Sequence, residues 1–76
     1  MMAKKGMIMG IGDKRLLVDD VQRIQGEDYV VFYSLDEKIF CIAKEVVEND
    51  NPRYDFLNYA EAIKIANEID KVNANK

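Results

Sequence analysis

Apolar and polar positions alternate along much of this chain, but one stretch breaks the alternation. Residues 27–43, EDYVVFYSLDEKIFCIA, are apolar at almost every position outside the central LDEK. Strict alternation marks a strand with one face in water, whereas a continuous apolar run marks a strand covered on both faces. Tyr29–Ser34 and Lys38–Glu45 are rich in β-branched and aromatic residues, and LDEK between them predicts a hairpin. The register is the same whether the loop holds two residues (Asp36, Glu37) or four (Leu35–Lys38). It sets Ser34 opposite Ile39, Phe32 opposite Cys41 and Val30 opposite Ala43 on a first face. Tyr33 then meets Phe40, Val31 meets Ile42 and Tyr29 meets Lys44 on a second face.

The flanking patterns are simpler. Lys5 to Ile11 (KGMIMGI) is short and carries two glycines, which predicts an edge or bulged strand closed by a turn at Gly12-Asp13-Lys14. RLLVDDVQRIQ, residues 15–25, starts as a strand. Leu16 and Val18 share a face that Val21 reaches only if the chain bulges or breaks at Asp19-Asp20. Gly26-Glu27-Asp28 predicts the next turn. ENDNPRYD, residues 48–55, reads as a polar connector, because proline is barred from an interior ladder position. After it, Asn58 and Glu61 stand at capping-box spacing before NYAEAIKIANEIDKV. That segment places Ala62, Ile65, Ile69 and Val72 along one helical stripe, widened by Tyr59, Ile63 and Ala66.

These elements predict one α+β domain over residues 1–76, an antiparallel β-meander (β-β-β-β-α) with a C-terminal helix packed on one face. Residues 1–4 and 73–76 are expected to fray. A small curled β-barrel capped by the helix is the alternative. One helix covers one face, and the first face is assigned to it because that face has almost no polar atoms. Tyr29, Val31, Tyr33, Phe40 and Ile42 are then left over as a candidate interaction surface. Its aromatics each carry about 150–250 Å² of side chain, enough together to signal a partner. The competing expectation is closure by the chain itself, with Met7, Met9 and Leu17 folding over the second face.

Composition narrows the function. The chain is 49% apolar and 33% charged with a net charge of −3, so no strong field draws it to nucleic acid or anionic lipid. Lys, Ile and Asn are frequent, as in products of AT-rich bacterial and phage genomes. No apolar segment is long enough to span a membrane, and a cytoplasmic location is expected. There is no histidine or threonine, Ser34 is the only serine, and Cys41 has neither a disulfide partner nor a base. Nucleophilic triads are therefore excluded in their usual form. Asp13, Asp19, Asp20 and Asp28 offer carboxylates for acid–base work or a hard cation, but each lies at a turn or break, where aspartate serves the backbone. GMIMGIG lacks the GKS/T ending of a phosphate loop. The expectation is a protein without enzymatic activity, metal or cofactor.

What remains is a small interaction module that regulates, inhibits or assists another protein, with a second copy of itself as the first expected partner. Single-stranded nucleic acid is the alternative partner. Tyr29, Tyr33 and Phe40 would stack bases, with Lys4, Lys5, Lys14, Arg15, Arg23 and Lys44 as the basic groove. Glu27, Asp28, Asp36 and Glu37 flank the same hairpin and oppose that reading.

Overall fold

The hairpin pattern continues further than the sequence indicates. The computed structural model describes residues 2–74 as five strands and a helix. They are β1 (Ile8–Ile11), β2 (Lys14–Ile24), β3 (Glu27–Ser34), β4 (Phe40–Glu48), β5 (Asn51–Phe56) and α1 (Tyr59–Ala74). The sheet is an antiparallel meander in the order β1-β2-β3-β4-β5. The β3–β4 register is the one read from alternation: Tyr33↔Phe40, Phe32↔Cys41, Val31↔Ile42, Val30↔Ala43 and Tyr29↔Lys44. The four-residue loop is the one used. Ser34 donates to the Ile39 carbonyl (2.8 Å) and Lys38 to the Ser34 carbonyl (2.8 Å), with Lys38 at a φ of 58°. The bulge expected at the aspartates is present as a register shift between Val18 and Asp20.

Residues 48–55 are not a connector. Asn49 and Asp50 take φ values of 51° and 65°, and this pair of left-handed residues makes a tight hairpin turn whose twist suits the flanking strands. Gln25 and Gly26 (51° and 80°) do the same between β2 and β3. The fifth strand pairs Tyr54 with Glu45 and Phe56 with Ala43. Pro52 is tolerated because β5 is an edge. Asn58 caps α1 as its spacing predicts, its Oδ1 accepting the Glu61 N–H at 2.9 Å.

The helix lies on the opposite face from the one expected. Its neighbours are Asp20, Tyr29, Val31 and Ile42, all from the second face or the bulge, and Asn73 bonds Gln22 and Asp20 there. The first face covers itself, because the sheet curls into a half-barrel. Leu16, Val18, Val30, Phe32 and Ala43 are fully buried on its concave side, with Met9, Ile11, Val21, Cys41 and Tyr54 packed around them. Phe32 meets Tyr54 edge-on at 5.6 Å and Phe56 at 5.9 Å, contacts that reach from β3 to β5 and hold the curl. A reading with four strands lacks these two rings, and so gives the concave face to the helix. Closure runs toward the first face, with Met9 inside, while Leu17 stays on the second.

The N-terminal end is tied down as well. Ala3 is buried, and the backbone N–H groups of Met2 and Ala3 donate to the Glu45 carboxylate at 3.1 Å. Tyr54 donates its hydroxyl to the same carboxylate at 2.8 Å. Burial, with this acceptor beside it, raises the Tyr54 phenol well above its usual pKa. Glu45 is thus a buried side chain whose oxygens accept from three separate groups. Residues 1, 75 and 76 lie outside the described residues; Asn73 and Ala74 close the helix. No helix among the described residues is long and apolar enough to cross a membrane.

Candidate protein-interaction surface

The convex face carries all five residues singled out from the sequence, but α1 divides them. Helix α1 packs on β4 and β2. Leu57 donates to the Ile42 carbonyl (2.9 Å), extending the β4–β5 ladder by one residue before the chain turns into the helix, and Asn73 anchors the helix end over β2. Val31 and Ile42 form the floor under Ala62, Ala66 and Ile69. Tyr29 lies beside the helix near Leu57, Glu61 and Ile65. Tyr33 and Phe40 remain outside its cover. Their rings pack at 5.0 Å, tilted by 56°, and Phe40 is 63% exposed.

Those two rings belong to a longer row. The registers align Ile8 with Leu17, Leu17 with Tyr33 and Tyr33 with Phe40, one apolar side chain from each of four adjacent strands. Ile8 at one end is 62% exposed. At the other end the row runs into Tyr59 and Ile63, the exposed shoulder of α1. Alternation within the hairpin could not reveal Ile8 and Leu17, because their membership depends on how β1 and β2 align with β3. Tyr59 and Ile63 were legible as part of the helical stripe, although they face a groove and not a core.

Between row and helix runs a groove of about 450 Å³. Its floor is apolar, and one end is bounded by Asp19, Asp20 and Asp70. Asp20 is held by the Val21 N–H (2.9 Å) and the Asn73 side chain (3.5 Å). None of the three carboxylates has an ion-pair partner among the described residues.

The aspartates considered for chemistry do not converge. Asp13 sits in the β1–β2 turn and Asp28 pairs with Arg23 at 2.8 Å, which holds its carboxyl below the usual range. No group of three or more His, Cys, Asp or Glu side chains among the described residues is placed to share a metal ion. Cys41 is half-buried, and desolvation pushes its thiol up, away from the reactive thiolate. Two of the cations expected in a basic groove are already engaged. Lys14 pairs with Glu37, and Arg15 pairs with Asp36 at 2.9 Å. No protein family, curated protein or solved structure matches this chain.

Proposed function

We propose that this chain is a protein-interaction module that works as a homodimer and serves as an accessory or regulatory subunit. Its working surface toward a partner protein is the row Ile8–Leu17–Tyr33–Phe40 with Tyr59 and Ile63. One observation carries the reading: an apolar row, exposed at Ile8, Phe40, Tyr59 and Ile63 and half-buried at Leu17 and Tyr33, persists on a sheet that already has both a sealed core and a packed helix. Phe40 and Tyr59 alone, at 63% and 76% exposure, present about 200–350 Å² of aromatic surface. With Ile8 and Ile63 added, the patch reaches the size at which a monomer's surface usually has a partner. The acidic end of the groove suits a chain whose apolar anchors are followed by Lys or Arg.

A nucleic-acid reading has the Tyr33–Phe40 pair in its favour. It has less support, because the groove beside that pair ends in unpaired carboxylates that repel phosphate.

Light scattering behind size exclusion tests the reading. The expected mass is twice the 8.8 kDa of the chain, and a strict monomer at high micromolar concentration contradicts the homodimer. A synthetic amphipathic Leu/Lys peptide should shift the amide resonances of Phe40, Tyr59 and Ile63, and its Leu/Glu counterpart should not. Equal response to both, or to neither, contradicts the assigned surface.

A further inference from the structure

The two edges of the sheet are built differently. β5 carries Pro52, and Arg53 on the same strand pairs with both Asp55 and Glu48. Proline and charge are the devices that stop another strand from adding to an edge. β1, IMGI, has no charge and no proline, and Ile8 and the preceding Met7 are exposed. Only its shortness protects it.

The hydrogen bonds of β1 show which of its backbone groups are free. Val18 donates to the Met7 carbonyl at 2.8 Å, so Met7 faces β2. The Arg15 carbonyl accepts from Leu35, on the side away from β1, so Gly10, its partner in register, makes no bond to it. By the two-residue alternation of an antiparallel ladder, the N–H and C=O groups of Ile8 and Gly10 point outward.

We propose that two copies of this chain join edge to edge through β1, antiparallel about a two-fold axis at Met9, into one ten-stranded sheet. The proposal rests on the homodimer reading and gives it a contact. In this register Ile8 exchanges backbone bonds with Gly10 of the second copy, using the groups that point outward. Met9 meets its own counterpart and Met7 meets Ile11, so the directly opposed side chains are apolar. The choice of register comes from the outward groups. Pairing about Met9 uses both outward residues of each copy, whereas centring the axis on Ile8 or Gly10 pairs one of them and sets the other against the turn at Gly6 or Gly12. The same pairing brings the two convex rows onto one continuous face, with Tyr33, Phe40, Tyr59 and Ile63 of both copies open to a further partner.

The decisive variant is Gly10→Pro. It removes an outward N–H and leaves the β1–β2 ladder untouched, a place where proline is tolerated. Circular dichroism and thermal melting establish that each variant is folded. The expected result is a dimer that becomes a monomer in Gly10→Pro and stays a dimer in Tyr33→Lys/Phe40→Lys. A dimer that survives Gly10→Pro and dissociates in Tyr33→Lys/Phe40→Lys overturns the edge contact and leaves the homodimer reading standing. A wild-type monomer overturns both and leaves the edge for a strand of another protein.

Discussion

The concave and convex faces of the sheet are made from the same strands and the same kinds of residue, yet they have different fates. On the concave side Phe32 is enclosed by Tyr54 and Phe56 from the far edge, and by Ala3 and Leu16 around it. On the convex side Phe40, eight residues on, packs against Tyr33 and is left mostly in solvent. Residue type does not separate the two phenylalanines. The difference is curvature: a curled sheet supplies neighbours to its inner face from strands that are not adjacent, and withdraws them from its outer face. The helix only partly makes up the loss. Ile69 is its single fully buried residue, and Tyr59, Ile63 and Val72 stay exposed.

The largest expected effect breaks the contrast on the concave side. Phe32→Ala should cost about 3–5 kcal/mol of unfolding free energy in urea melts, because the curl cannot collapse onto the space left by a fully buried ring. In a domain this small such a loss approaches global unfolding. Glu45→Ala should come next, at about 2–3 kcal/mol, since it leaves the Met2 and Ala3 amides and the Tyr54 hydroxyl without their acceptor. Hydrogen exchange at Ala3 should accelerate in the same variant. On the convex side Ile69→Ala should cost about 2 kcal/mol and loosen α1, while Val72→Ala, on the same stripe but exposed, should stay within about 0.5 kcal/mol.

The hairpin register, the bulge at the aspartates and the Asn58 cap were all legible, because each is set by contacts close in sequence: alternation, a broken alternation and a side chain three residues from its amide. The fifth strand was not. NPRYDF shows its polar and proline residues to the reader, but the two that matter, Tyr54 and Phe56, act on Phe32 more than twenty residues away. Without that strand the inner face lacks a cover, and the pattern alone gives it to the helix. The candidate surface was legible in part for the same reason. Alternation found Tyr33 and Phe40, and it grouped them with Val31 and Ile42, which the helix overlies. Ile8 entered only through pairing between strands, which also set Leu17 beside Tyr33 in the sheet.

Smaller effects sharpen the contrast. Tyr33→Lys/Phe40→Lys should change monomer stability by no more than about 0.5–1 kcal/mol, since neither ring belongs to the core, while abolishing the response to the Leu/Lys peptide. The smallest effect is electrostatic. The Arg23 side-chain bond lowers the Asp28 pKa, and Arg15 and Arg53 do the same for Asp36 and Asp55. A folded pKa below the unfolded value of about 3.9 means that the contribution is whole above that pH and is lost as pH falls through the folded value. The melting temperature should therefore hold steady between about pH 5 and 7 and drop below about pH 4. Asp28→Asn should flatten part of that drop and Asp36→Asn less, because Asp28 is 14% exposed and Asp36 44%.

Hydroxyl-radical footprinting read residue by residue tests the division between a sealed inner face and an open outer row most directly. Phe40 and Tyr59 in the dilute protein should label rapidly, and Phe32 should label only at the rate of global unfolding. Comparable labelling of Phe32 and Phe40 would contradict the account.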